Sequence, residues 1–184
     1  HQSKKSENLI KYRMELSYVG SCYEGYQSQS SRNSIQDKLE AALKTFLREK
    51  KRVRVVGASR TDSGVHAEQQ VVCFQTASVF DKEKWEYGID SLLPRDITIH
   101  SINPISDSFC PIRRAKGKLY RYNLWLGGGV SPFFCDFVWP VSKKLDLSIL
   151  KLNTEMLVGR HDFSSFCSKD SSAKTREREI FEVF

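Results

Sequence analysis

The stretch Gly57–Ala67 carries the residues of this chain whose types and spacing are best suited to chemistry. Arg60 and Asp62 stand two positions apart among small and turn-forming residues. A carboxylate held on such a loop can act as a nucleophile or a general base. A nearby guanidinium can keep that carboxylate ionised or bind an anionic substrate. The same residues also suit a tight turn in which both side chains bond locally, so spacing alone leaves both interpretations open.

The periodicity of apolar residues predicts the elements that must position this loop. Residues 12–18 alternate between apolar and polar, which is typical of a half-buried strand. Ser34 followed by Asp37 indicates the start of a helix that reaches about Glu49. Further helices are predicted at about 82–93 and 147–158, and further strands at about 53–57, 70–76, 97–102, 118–126 and 178–184. The pattern predicts an α+β fold with a mainly antiparallel sheet and helices packed on one face.

Basic residues are in excess and lie in clusters. The chain has 29 basic and 22 acidic residues among 184, a formal net charge of +7. Each cluster alone suits a solvated surface, but several clusters on both sides of the loop favour contact with a phosphate backbone. The residues that we assign to such contacts are Lys50, Lys51, Arg52, Arg113, Arg114, Lys116 and Arg178.

The cysteines and histidines show no metal-binding pattern. The chain has five cysteines, no two at CxxC spacing, and four histidines that do not combine with them. We therefore expect reduced thiols in a cytoplasmic protein and no metal site. The sequence has no apolar run long enough to span a membrane, so we expect no membrane partner.

Motifs along the whole chain resemble those of the TruA family of tRNA pseudouridine synthases. The run Arg60–Ala67 matches the family signature RTDxGVHA, with Ser63 at the variable position. Other matches follow in the family's order: Tyr18–Ser21 with Gly25–Gln29, Ile35–Gln36 with Leu39–Glu40, Leu92–Pro94, Lys116–Tyr122, Gly159–Phe166, and Arg178 with Ile180.

The chain departs from the family pattern at a few positions. Val19 stands where the family usually has Asp, and Tyr26 where it usually has Trp. Cys110 and Ile112 replace the His and Arg of the family's FHAR motif. These changes remove polar groups that we expect to face the RNA, so they bear on the RNA target more than on the reaction.

The resemblance implies the pseudouridine synthase fold, in which two similar halves surround a central RNA-binding cleft. We expect a disordered tail or tag remnant at 1–8, an N-terminal catalytic half at 9–105 and a second half at 106–184. Because the family continues into an FLRxMVR segment, we expect the second half to be incomplete at its C-terminus. The resemblance also implies a homodimer.

The resemblance further implies a tRNA substrate, with isomerisation of uridine to pseudouridine in the anticodon stem-loop after base flipping. Asp62 matches the family's nucleophile, Arg60 the arginine beside it, and Tyr120 the tyrosine that stacks on the target base. Attack at C1′ and attack at C6 of the nucleotide both stay open. An isomerisation requires no cofactor and no metal.

Two other classes of function are compatible with parts of the sequence. The loss of the family's His and Arg would suit a non-catalytic or retargeted RNA-binding member of the same fold, although the intact Arg60, Asp62 and Tyr120 argue against it. A metal-dependent phosphate hydrolase would need further acidic residues beside Asp62, and the loop supplies none.

Overall fold

The computed structural model describes residues 8–79, 81–141, 144–167 and 175–184. The chain divides into two compact units, one that ends at Leu119 and one that begins at Tyr120. Residues 1–7 of the predicted tail lie outside the described residues.

A four-stranded sheet forms the centre of the first unit. Its strands are β1 (Ile10–Tyr18), β2 (Val56–Gly57), β3 (Ala67–Thr76) and β4 (Ile97–Ile105), in the order β2-β3-β1-β4. All the neighbours in this sheet are antiparallel. The predicted mixture of helices and antiparallel sheet is confirmed.

The alternating residues of β1 form the core of this unit. Tyr12, Met14 and Leu16 are at most 1% exposed, whereas the residues between them are only partly buried. Successive side chains of a strand point to opposite faces of the sheet, so the apolar half of the alternation is buried on one face. The period of two in the sequence therefore predicted this strand correctly.

Two helices, α1 (Ile35–Phe46) and α2 (Lys82–Asp90), pack into that same core. Leu39 of α1 and Ile89 of α2 are fully buried, and the ring of Trp85 in α2 lies 5.0 Å from the ring of Tyr12. The burial of α1 follows from its apolar positions, which recur at helical spacing.

Residues next to α1 determine where the helix begins and where it ends. The side chain of Ser34 accepts a hydrogen bond from the backbone N–H of Asp37, as expected of an N-cap. The helix ends at Phe46 and not at the predicted Glu49, because Arg48 takes a left-handed conformation with φ +53°. The sequence does not indicate which non-glycine residue will take that conformation, so the end of the helix could not be predicted from it.

The segment before the loop differs from the predicted strand at about 53–57. Only Val56 and Gly57 pair with β3, opposite Cys73 and Val72. Val53 and Val55 are buried all the same. The alternation of apolar residues therefore predicted burial correctly, whereas strand pairing with β3 includes only the last two residues of the segment 53–57.

The second unit contains short elements. Its two strand pairs and its helix are β5 (Leu124–Leu126) parallel to β6 (Trp139–Val141), β7 (Gly159–Asp162) antiparallel to β8 (Glu177–Ile180), and the helix Leu147–Glu155, with a 3₁₀ turn at Ser164–Phe166. The parallel pair is an exception to the antiparallel pattern expected from short connections.

The predicted strand at 118–126 was wrong for its first six residues. Tyr120 and Tyr122 precede β5 and their side chains are 71% and 75% exposed. The alternation of aromatic residues there does not correspond to burial within this unit. Among the residues that the structure describes, no helix is both long and apolar enough to cross a membrane.

Candidate active site

The loop at residues 58–66, which we call the signature loop, connects β2 to β3 and contains Arg60 and Asp62. A turn within it is closed by a hydrogen bond of 3.2 Å from the N–H of Val65 to the carbonyl of Asp62. Gly64 lies inside this turn with φ +79°, a conformation that glycine adopts at little steric cost. The prediction that a turn-forming loop lies between two strands is therefore confirmed.

The connection between β1 and α1 bonds the backbone of the loop from one side. The N–H of Tyr26 donates to the carbonyl of Thr61 at 3.0 Å, and the carbonyl of Tyr23 accepts from the N–H of Gly64 at 3.2 Å. The hydroxyl of Ser63 also donates to the carbonyl of Tyr23 at 3.3 Å. These bonds fix the residues on both sides of Asp62.

His66 forms a further bond to the same connection. Its Nδ1 accepts a hydrogen bond of 3.1 Å from the backbone N–H of Gly20. His66 thus has a structural role in this loop.

The sheet bonds the loop from the other side. The hydroxyl of Tyr18, at the end of β1, lies 2.9 Å from Oγ1 of Thr61, and Nε2 of Gln70 donates to the carbonyl of Ser59 at 2.8 Å. Burial raises the pKa of Tyr18, although its bonds to Thr61 and Gln70 partly oppose the shift. The hydroxyl therefore stays protonated and available for this bond at neutral pH.

Two glycines permit the close approach of the loop to its supports. A Cβ on Gly25, where φ is +94°, would lie 2.5 Å from the carbonyl oxygen of Thr61. A Cβ on Gly57 would lie 2.6 Å from Cζ of Tyr26. Any larger residue at either position would displace the loop or the ring that supports it.

Arg60 and Asp62 are exposed. Within the part of the chain that the structure describes, neither side chain forms a hydrogen bond or ion pair. The alternative of a turn held by local bonds of these two side chains is therefore not what the structure shows. Both charged groups are available to a ligand.

A groove beside β2 brings together basic residues from two separate parts of the sequence. Its volume is about 600 Å³, and Lys51, Arg52, Arg54 and Arg113 line it together with the acidic residues Glu49 and Asp107. Of the remaining predicted contacts in the first unit, Lys50, Arg114 and Lys116 are exposed and do not line this groove.

The cations around the groove differ in how they are bonded. Arg52 forms ion pairs with Glu40 and, at 3.5 Å, with Asp37. Lys11, at the same groove, donates to the carbonyls of Asp107 and Phe109 at 2.9 and 2.8 Å. Both side chains therefore hold parts of the protein together, whereas the side chains of Lys51 and Arg54 form no hydrogen bond or ion pair among the described residues.

Cys110 also lines the groove, at the position where the family usually has His. The backbone N–H groups of Arg113 and Ile112 and the Arg113 side chain lower the pKa of its thiol. Cys73 lies in the same wall, and burial raises the pKa of that thiol. The described residues hold no group of three or more His, Cys, Asp or Glu side chains that could bind a metal ion.

Tyr120 and Arg178 belong to the second unit. Nη1 of Arg178 donates to the carbonyls of Thr175 and Glu177 at 2.9 and 2.6 Å. Asp162, the last residue of β7, accepts from the backbone N–H of Ser164 at 2.8 Å.

Sequence reasoning did not identify the residues that support the loop. Tyr18 and Gln70 are both 4% exposed and hold the loop through polar atoms. The available signal was a polar group at a core position of each strand, because buried polar groups need partners. Arg54 lines the groove but was not among the predicted contact residues.

Comparison with known proteins relates the whole chain to one enzyme family. A family profile described as tRNA pseudouridine synthase matches residues 16–113. The tRNA pseudouridine synthase A of Bacillus licheniformis is 36% identical over 174 residues, which cover 95% of this chain and 70% of that protein. The enzyme of the same name from Bacillus subtilis is 33% identical with the same coverage, and that of Acetivibrio thermocellus is 37% identical over 93% of this chain and 69% of its own.

The matched region contains the signature loop, the residues that bond it and all the groove residues except Leu9 and Lys11. Identity above 30% over nearly the whole chain extends the relationship into the second unit. The chain therefore belongs to the TruA family of tRNA pseudouridine synthases, which are isomerases.

Proposed function

We propose that this protein isomerises uridine to pseudouridine in the anticodon stem-loop of tRNA, with Asp62 as the nucleophile. The observation that carries the proposal is an exposed carboxylate without a bonded partner among the described residues, on a loop whose backbone is bonded from two sides. A nucleophile needs this combination, because the reacting atom must be accessible while its position is fixed.

The reaction conserves all atoms of the uridine. The N1–C1′ bond breaks, the uracil turns, and a C5–C1′ bond forms; the proton on C5 is then lost, and N1 gains one. The uracil must first leave the base stack, since C1′ and C6 are inaccessible inside a stem. Asp62 can form its transient bond at either carbon, and both routes give the same product.

Arg60 and Tyr120 have separate roles in this proposal. The exposed guanidinium of Arg60, two residues from Asp62, occupies the space that the flipped base leaves or binds a phosphate. The exposed ring of Tyr120 stacks on the flipped base, and its hydroxyl takes part in removing the proton from C5.

The RNA backbone is bound by the basic residues. Lys51, Arg54 and Arg113 line the groove next to β2, Lys50, Arg114 and Lys116 are further exposed cations of the first unit, and Arg178 contributes from the second unit. Charged contacts of this kind make tRNA affinity fall with salt.

The organisation that we propose follows the family. The halves 9–105 and 106–184 surround one RNA-binding cleft, and two copies of the protein form a homodimer that acts in the cytoplasm without a cofactor.

The test is the formation of pseudouridine in a tRNA transcript, mapped by mass spectrometry. We expect product with the wild-type protein and none with Asp62→Asn, because the amide keeps the shape and loses the charge. Glu83→Gln on α2 is the control, since Glu83 is an exposed carboxylate far from the loop in sequence. Activity of Asp62→Asn within tenfold of wild type would contradict the assignment of the nucleophile.

The same experiment distinguishes the proposed function from the alternative, a non-catalytic or retargeted RNA-binding member of the same fold. The replacement of the family's His and Arg by Cys110 and Ile112 is the observation that favours a non-catalytic or retargeted member. Tight binding of tRNA by the wild-type protein without any pseudouridine would support the non-catalytic form. Product at uridines outside the anticodon stem-loop would support the retargeted form.

A further inference from the structure

Two side chains of α1 bond the backbone of Val55, just before the signature loop. Oε1 of Glu40 accepts from the N–H of Val55 at 2.9 Å, and Nε2 of Gln36 donates to its carbonyl at 3.1 Å. Residues four apart lie on the same face of a helix. Gln36 and Glu40 thus supply both hydrogen bonds that a neighbouring strand would otherwise supply at this position.

Glu40 is a buried carboxylate with several donors. Its exposed fraction is 3%, and it accepts from Nε2 of Gln36 at 2.9 Å as well as from Val55. Its second oxygen forms the ion pair with Nε of Arg52. A buried charge is costly unless it is paired and hydrogen-bonded, so Arg52 is the counterion on which this carboxylate depends.

The same helix reaches Asp62 through Tyr26. The backbone N–H of Gln36 donates to the carbonyl of Tyr26 at 2.9 Å, and the N–H of Tyr26 donates to the carbonyl of Thr61 at 3.0 Å. The ring of Tyr26 also packs against Gly57. The loop is therefore fixed relative to α1 before it begins, at Val55, and again at the residue that precedes Asp62.

We propose that Gln36 and Glu40 are positioning residues for Asp62, and that Arg52 acts with them as an internal counterion and not as a ligand of the RNA. We call Gln36, Glu40 and Arg52 the α1 clamp. This inference rests on the proposed function, in which Asp62 is the nucleophile. It assigns opposite roles to two arginines that are separated by one residue.

Arg54 is the matched control for Arg52. Both arginines are exposed in part and line the groove, but the side chain of Arg54 forms no hydrogen bond or ion pair with a described residue. Arg54 is free to bind phosphate, whereas Arg52 is bonded to Glu40 and Asp37. Arg52→Gln and Arg54→Gln remove the same charge from the same segment.

The experiment compares single-turnover rates at saturating enzyme with the salt dependence of tRNA affinity. For Arg52→Gln and Glu40→Gln we expect the rate to fall at least tenfold and the slope of log affinity against log salt to stay unchanged. For Arg54→Gln we expect the slope of log affinity against log salt to fall by roughly one unit. All rates are measured below the unfolding temperature of each variant.

A double variant gives a readout that general destabilisation would not produce. In Arg52→Gln the carboxylate of Glu40 stays buried without its counterion, which is the costly arrangement. In Glu40→Gln/Arg52→Gln position 40 no longer carries an unpaired buried charge, Asp37 keeps its bonds from Ser28 and Ser34, and the glutamine oxygen can still accept from Val55. We expect the double variant to react at least threefold faster than Arg52→Gln alone.

Hydrogen exchange measures the clamp independently of activity. We expect the amides of residues 53–64 to exchange faster in Arg52→Gln than in wild type. In Arg54→Gln we expect them to exchange at the wild-type rate. A wild-type protein that forms no pseudouridine would refute the proposed function. Unchanged exchange and rate in Arg52→Gln, a reduced salt slope in that variant, or a double variant no faster than Arg52→Gln would each overturn the assignment of the clamp.

Discussion

The hydroxyl of Tyr18 lies 2.9 Å from Oγ1 of Thr61, so the end of the central strand directly contacts the residue that precedes Asp62. Tyr18 is 4% exposed, and its other polar neighbour, Gln70, bonds the carbonyl of Ser59. The sheet thereby fixes the loop at Ser59 and Thr61, both on the N-terminal side of Asp62.

The first prediction concerns this bond. Tyr18→Phe keeps the buried ring and removes the hydroxyl, so we expect the free energy of unfolding to fall by about 1 kcal/mol. We expect the single-turnover rate to fall roughly tenfold, because a small displacement of a reacting group is costly. Thr61→Val should have a similar effect, and the double variant should be little worse than either. Fully additive losses would show that the two hydroxyls do not act through each other.

The second prediction concerns the contact of Gly25 with the loop. Gly25→Ala places a Cβ 2.5 Å from the carbonyl oxygen of Thr61, at a φ of +94°. We expect a loss of stability of about 1–3 kcal/mol or more, measured by urea unfolding. Gly64→Ala has the same unfavourable φ but no atom within 4 Å, so it should cost only about 1 kcal/mol. Equal losses would mean that the clash at Thr61 is relieved without cost.

The third prediction concerns Tyr120. Tyr120→Phe should bind tRNA like wild type and turn over more slowly, because only the hydroxyl is lost. Tyr120→Ala should also weaken binding, by about 1–3 kcal/mol if the ring stacks on a base. Binding is measured by titration and turnover by mass-spectrometric mapping. Wild-type behaviour of both variants would show that the exposed ring takes no part in the reaction.

The fourth prediction concerns acid. Burial opposes ionisation of Asp37, but hydrogen bonds from the hydroxyls of Ser34 and Ser28 and the charge of Arg52 hold its pKa below the ordinary value. A lowered pKa stabilises the folded protein above the ordinary aspartate pKa of about 3.9, and this stabilisation is lost as the pH falls through the lower, folded value.

Asp37→Asn should therefore be less stable than wild type at pH 7, with a difference that shrinks below about pH 4. Urea unfolding at pH 7, 5 and 3 measures this difference. A gap between the two proteins that is the same at all three values would show that the carboxylate charge does not contribute.

Sequence reasoning succeeded where a local pattern has one physical cause. The alternation of residues 12–18 predicted β1, because one face of a sheet is buried. Ser34 predicted the start of α1, because its side chain satisfies a free backbone N–H. The run Gly57–Ala67 predicted a turn-forming loop between two strands, and the structure has it between β2 and β3.

It failed where distant residues decide the outcome. Val53 and Val55 alternate like a strand, but the bonds of Val55 go to side chains of α1, and no local signal reports that choice. The ion pair of Arg52 with Glu40 also depends on the fold, so the sequence could not reveal this partner. The role of Tyr18 depends equally on a contact between residues 43 positions apart.

The position of β1 at the centre of its sheet has a consequence for protein synthesis. β1 lies between β3 and β4, which follow it in the chain and end at Thr76 and Ile105. On the ribosome, one edge of β1 therefore stays unpaired until Thr76 has been translated, and the other edge until Ile105 has been translated. Folding by such distant pairings is slow and leaves aggregation-prone surface exposed, so a pause in translation before residue 105 should make the nascent chain dependent on chaperones.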